Sequence, residues 1–216
     1  MPTSCRISGC TKPQAGYSPF CSQHRSRKRR HGHEEQRTIS KTDLRPFIEK
    51  VQARIAKQPE AKLWSICDQR WDAWTSSWRS LPPTTIYGYV RAAAKELVRL
   101  ADNVTGREIA ITTVAMYLLQ EHAPQLFKSE AAFRTQLVRR VRSLSPASFS
   151  EWDGAADGRK RRAMKGLDPR ATEYLGGVLV ELFGPAGVRM AQLELREEEK
   201  KKQAVLALHA ALAKVA

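Results

Sequence analysis

Between residues 46 and 145 apolar side chains recur every three or four positions, the period of helices with one inward face. Thr42 and Asp43 are candidate caps, and Pro46 suits a first turn. Phe47, Ile48, Val51 and Ile55 then predict a helix closing near Gln58-Pro59. A second helix opens about Glu60. It carries Leu63, Trp64, Cys67, Trp71, Trp74 and Trp78 on one side until Leu81-Pro82-Pro83. The tryptophan stripe reads as core-facing, with a platform for stacked bases as the alternative. Cys67 reads as a small core residue. Thr84 or Thr85 caps a third helix, with Ile86, Val90, Ala94, Leu97 and Leu100 or Ala101 inward and a break at Asp102-Asn103. Thr105 and Glu108 form a capping-box pattern. The helix it starts turns Ala110, Val114, Tyr117 and Leu118 inward and ends at Ala123-Pro124. Ser129 opens a fifth, with Phe133, Leu137, Val141 and Leu144 as its buried stripe.

The period lapses over 146–168, which reads as an irregular basic loop. Asp168-Pro169 restarts a helix with Tyr174, Val178, Leu179, Leu182 and Phe183 inward, and Gly184-Pro185 is expected to stop it. A closing helix follows from Gly187. Its Val205, Leu208, Leu212 and Val215 step like a coiled-coil seam that Lys201, Glu198 and Glu194 interrupt, so it docks on its own domain or on a second copy, making a homo-oligomer. The expected fold is mostly α. A small N-terminal module spans 1–33, a linker 34–45, a helical domain 46–145, the basic loop 146–168 and the C-terminal helices 169–216.

The first thirty-three residues lack this period and carry different chemistry. Cys5-x4-Cys10 and Cys21-x2-His24 supply two short-spaced pairs of soft or borderline donors, the set a tetrahedral zinc ion needs. Pro13, Gly16 and Pro19 between them suit tight turns, and Tyr17 and Phe20 are candidates for a small apolar lid. A disulfide with spare thiols is the alternative. Clustered thiols in a chain that opens without a secretory signal favour a metal and a reducing cytosol. His31 and His33, remote from Cys21, are poor replacements for His24.

Cys5, Gly9-Cys10, Gly16, Cys21 and His24, running on into Arg27, Arg30, His31 and Gly32, resemble the short Cys/Cys/Cys/His fingers at the start of many phage and bacterial proteins, often beside HNH nuclease or other DNA-acting domains. The resemblance ends near residue 33. The loop Tyr17-Ser18-Pro19-Phe20 is longer than is usual before the third cysteine. The resemblance implies a structural zinc ion held by Cys5, Cys10, Cys21 and His24, a basic tail that meets nucleic acid, and a bacterial or phage setting. The implied location is cytoplasmic, on the nucleoid or in the host cell.

Charge sharpens that expectation. The 216-residue chain has a net charge of +15, which calls for a polyanionic partner. Residues 1–45 hold ten Lys/Arg against three Asp/Glu and 46–145 fifteen against nine, whereas 171–216 are balanced. Three patches stand out as phosphate-contacting candidates. One is Arg25, Arg27, Lys28, Arg29 and Arg30, on a helix extension or a flexible arm. The next is Arg134, Arg139, Arg140 and Arg142 on a helix with no acid after Glu130. The last is Arg159, Lys160, Arg161, Arg162 and Lys165 in the basic loop. The two helices around Pro124 to Lys128 make a helix-turn-helix only if that long turn is tolerated.

No GxxxxGK[ST], HExxH or GxSxG pattern is present. Beyond residue 33 only His122 and His209 remain, each alone on a helix, and Asp68, Asp72 and Glu108 make a carboxylate cluster only if the fold gathers them. No stretch reads as strand, and no apolar run is long enough to span a membrane. The expectation is therefore a non-enzymatic, zinc-dependent nucleic-acid-binding protein, DNA before RNA. A protein–protein adaptor using the finger and final helix is one alternative, and a nuclease or recombinase subunit the other.

Overall fold

The computed structural model describes residues 4–81, 88–153 and 159–213, with side chains as far as residue 207. Seven α-helices and one two-stranded sheet make up the described chain: α1 Ser22–His31, α2 Lys41–Lys57, α3 Lys62–Ser80, α4 Gly88–Ala101, α5 Gly106–His122, α6 Glu130–Arg142, β1 Phe149–Asp153, β2 Lys160–Met164 and α7 Pro169–Ala213. The mostly helical expectation holds. None of the helices is long and apolar enough to cross a membrane.

The body is built around α5, which packs against α2, α3, α6 and α7. Residues Ile109, Ala110 and Thr112 to Met116 are buried with Leu118 and Leu119, so this helix is covered on nearly every side and not on one stripe. Its start is legible in the sequence: Thr105 accepts from the Glu108 amide while the Glu108 carboxylate accepts from Thr105 N–H at 3.0 Å. Ser129 likewise caps α6 through the Ala132 amide, and Asp168 caps α7 through the Arg170 amide at 2.8 Å. Of the tryptophan stripe, Trp64 and Trp71 are core with Cys67, whereas Trp74 and Trp78 stack on each other at its edge, 5.1 Å apart. The caps proposed at Thr84 or Thr85, and Ile86, lie outside the described residues.

Three expectations are corrected. The 34–45 linker is not slack: α2 begins at Lys41, Ser40 caps it with Asp43 as the reciprocal partner, and Pro46 lies inside the helix. Upstream, the side-chain amide of buried Gln36 donates to the Leu126 carbonyl and accepts from Lys128 N–H, both at 3.0 Å, binding this segment to the α5–α6 turn.

Gly184-Pro185 does not end a helix, because α7 runs unbroken through it. A Cβ at Gly187 would lie 2.4 Å from Tyr117 Cδ2, and one at Gly184 2.8 Å from the Tyr117 hydroxyl. These glycines let α7 press onto α5. Pro185 is exposed, as is Glu181, one turn back, whose carbonyl a proline cannot serve.

Residues 146–168 are not irregular throughout, since β1 and β2 pair antiparallel from Phe149↔Met164 to Asp153↔Lys160. Nearly every residue of both strands is exposed, so no apolar alternation marked them.

The final helix carries the proposed seam largely beyond the described side chains. Its contacts with α2 are ionic, Lys50 to Glu198 at 3.0 Å and Arg54 to Glu197 at 2.8 Å, and Val205 is exposed. The side chains of Leu208 and Leu212, and all of Val215, lie outside the described residues.

Candidate metal centre

The N-terminal stretch folds as two tight turns and a helix around four donor atoms. Cys10 N–H donates to the Ile7 carbonyl at 3.0 Å, closing a knuckle in which Gly9 takes φ 74°. Ala15 N–H donates to the Phe20 carbonyl at 2.9 Å across the loop, where Gly16 takes φ 62°. Cys21 is the N-cap residue of α1 and His24 lies on its first turn, so the helix itself brings these two together. His24 Nδ1 is 3.4 Å from both Cys5 Sγ and Cys21 Sγ, and Cys10 Sγ is 4.0 Å from Cys21 Sγ. All four donor atoms lie within 4.8 Å of one another.

A tetrahedron with metal–sulfur bonds of about 2.3 Å and metal–nitrogen bonds of about 2.0 Å has edges of about 3.8 and 3.5 Å. Three of the observed separations, 3.4, 3.4 and 4.0 Å, lie close to those edges. They do not match a disulfide, and all three cysteines are free thiols. The backbone N–H of His24 draws the Cys21 thiol below its ordinary pKa, whereas the Cys10 thiol is raised, the lowering by the Lys12 N–H being outweighed by burial and the neighbouring Cys5 and Cys21. The four residues can therefore hold a metal ion. His33 is turned elsewhere, with Nδ1 accepting from Glu35 N–H at 3.1 Å. Tyr17 is fully exposed and is no lid; Phe20 is half-buried beneath Lys28 Nζ, 5.0 Å from its ring centre. α1 itself has no buried residue, and Cys5 and Cys21 are the buried side chains of the described finger.

The finger is docked on the body. A Cβ on Gly32 would meet the Ala131 carbonyl oxygen at 2.5 Å, and His31 Nδ1 lies 3.3 Å from Gln136 Nε2 on α6. The other end of Gln136 accepts from Ile39 N–H at 3.0 Å. Burial, then Arg139, Arg27 and Arg30, push the His31 pKa down to about 4, so the imidazole is neutral at pH 7. The same contacts bring Arg30 of the finger close enough to Arg139 to depress its pKa, after burial and Arg142.

The three cationic patches fare differently. Arg29 and Arg30 are exposed, Arg27 is half-buried, Arg25 donates to the Ala15 carbonyl at 3.3 Å and Lys28 sits 3.8 Å from Glu34. On α6, Arg142 is not on the surface. It is buried, its Nε bonds Glu96 at 2.6 Å and its Nη2 the Lys165 carbonyl at 2.8 Å, so it is withdrawn from any interface. Arg134 pairs with Glu130 one turn back. Arg139 and Arg140 are half-buried, and each has an Nε shielded from solvent without a hydrogen-bond partner. Seven of the thirteen residues of α6 are buried, so one face of this helix is given to the body. Of the third patch, Arg162 stacks on Phe149 at 3.8 Å and pairs with Glu151 at 3.3 Å, while Lys165 Nζ donates to the Ala147 carbonyl at 3.0 Å. Arg159, Lys160 and Arg161 are exposed.

Among the described residues no second group of His, Cys, Asp and Glu converges as the finger does. Asp68 instead binds Arg107, at 3.1 Å from Nε, and Glu108 closes its capping box. The sequence reading missed Glu96, Gln36, Gln136 and Trp152. Glu96 had a readable signal: an acid between Ala93 and Leu100 on the inward side of α4. A scan of known protein families finds no match to the chain, and searches of curated proteins and solved structures find none either.

Proposed function

We propose that this chain is a non-enzymatic nucleic-acid-binding protein, DNA before RNA, of a bacterial or phage system. In it a zinc ion on Cys5, Cys10, Cys21 and His24 fixes a basic finger to a helical body. One observation carries this reading. Arg30, Arg139 and Arg140 are gathered at the finger–α6 junction, with Asp43 as an acid acting on Arg140, and the Nε atoms of Arg139 and Arg140 are shielded from water without hydrogen-bond partners. Packing like charges together costs free energy unless an anion completes the site, and a polyphosphate is the anion that a chain of +15 attracts most strongly. Arg25, Arg27, Lys28 and Arg29 on α1 and Arg159 to Arg162 on the hairpin are further cations for such a partner.

The test is fluorescence anisotropy of a labelled DNA duplex across a salt series, on protein whose zinc content has been measured. Each phosphate contact steepens log K against log salt by about 0.9, so a slope of several units is expected, and Arg139→Ala with Arg140→Ala flattens it by about two. A salt-independent or absent interaction overturns the reading. An adaptor role is the second reading, favoured by Val188, Leu195 and Leu206 exposed along α7.

A further inference from the structure

The β1–β2 hairpin is the one element whose shape the reading above does not explain. Two-stranded ribbons are marginal alone. This one is held at its root: buried Ser148 accepts from Lys165 N–H at 2.9 Å, and Arg142 grips the Lys165 carbonyl while bonding Glu96 within the body. Beyond the root every side chain of both strands is exposed, Trp152 among them at 48%. About half of this large apolar side chain stays in water on a firmly held arm.

The register sorts the arm into two unlike faces, because residues opposite each other in an antiparallel pair share a face. One face carries Phe149 and Met164, then Glu151 with Arg162, then Asp153 with Lys160. On it Arg162 pairs with Glu151 and stacks on Phe149. The other carries Ser150 with Ala163 and Trp152 with Arg161. A hydroxyl, a methyl, an indole and a guanidinium are the groups that meet base edges: arginine pairs with guanine O6 and N7, apolar groups meet the thymine methyl, and serine serves either. The described part of the arm and its base carry five cations, Arg159 to Arg162 and Lys165, against Glu151 and Asp153. Two strands about 5 Å apart, with their side chains, fill a major groove about 12 Å wide.

We propose that this hairpin is a base-reading ribbon, its Ser150/Trp152/Arg161/Ala163 face lying against base edges in the major groove of duplex DNA with Arg161 directed to guanine. The proposal rests on the nucleic-acid reading and adds to it the source of sequence selectivity. In the body, Glu96 and Arg142 act as positioning residues that aim the arm.

The test is selection from a random-sequence DNA duplex pool by the wild-type chain, Arg161→Ala and Arg161→Lys, with the salt slope of each for the unselected pool. Lysine keeps the charge and loses the fork. The wild type is expected to enrich a guanine-containing site. Both variants lose the preference at one or two base pairs, with discrimination falling about tenfold to a hundredfold. Arg161→Lys keeps the wild-type salt slope. Replacing the selected guanine by 7-deazaguanine, which lacks the N7 acceptor, weakens the wild type by a similar factor and leaves Arg161→Ala unmoved. If the wild type binds the pool with a steep salt slope but enriches no site, or if the variants enrich the same site, the ribbon proposal falls and the nucleic-acid reading stands. If the wild type does not bind the pool at all, both fall.

Discussion

Arg142 Nε lies 2.6 Å from Glu96 Oε1, and both side chains are only 5% exposed. A third member, Arg99, shares the second carboxylate oxygen, and Ser148 Oγ approaches the first at 3.3 Å. The cluster ties α4 and α6 to the base of the hairpin. Burial lowers the Arg142 pKa.

Removing one partner strands a buried charge. Glu96→Gln is expected to destabilise the fold by about 3–5 kcal/mol, read as a lower urea midpoint. Pairing Glu96→Leu with Arg142→Met recovers most of that loss. If both variants unfold alike, the pair is not the source of the stability.

Metal removal should act locally. The finger has no apolar core of its own, so chelation or Cys21→Ser is expected to unfold residues 4–31 and leave the body helical. Elemental analysis should give about one zinc per chain before treatment. Far-UV circular dichroism should then fall only by the contribution of α1, and a global loss of helix contradicts the prediction.

Acid should loosen the finger's docking through His31. Its folded pKa, about 4, lies below the unfolded value of 6.5, so the unfolded chain binds more protons between those limits. Stability from the neutral imidazole is complete above pH 6.5 and declines as pH falls towards 4. The melting temperature should drop between pH 7 and 5, more steeply than in His31→Asn, which keeps a polar group near Gln136. Equal slopes in the two proteins sink the assignment.

The α5–α7 crossing should not tolerate a side chain at Gly187. Gly187→Val drives a branched side chain into the Tyr117 ring and is expected to cost about 1–3 kcal/mol, read from denaturant unfolding. Tyr117→Ala should relieve part of that cost, a non-additivity that marks direct contact.

Much of this molecule was legible in one dimension because the physics involved is local. The Thr105–Glu108 box, the Ser129 and Asp168 caps and the stripe Phe133, Leu137, Val141 depend on groups within a turn or two of each other. The four metal donors were legible for a related reason: two short-spaced pairs need only one loop to meet. The sequence misled where a residue's role depended on what lay across from it. Gly184-Pro185 has the composition of a helix stop, yet its glycines answer to Tyr117, some seventy positions earlier. Arg142 looked like one more surface cation, and Glu96 took it inside. The hairpin left no apolar alternation because neither of its faces is covered by the body. Periodicity and capping fix what a segment becomes; only the packed fold decides which charges are neutralised, which are exposed and which glycines are spacers, because those outcomes belong to pairs distant along the chain.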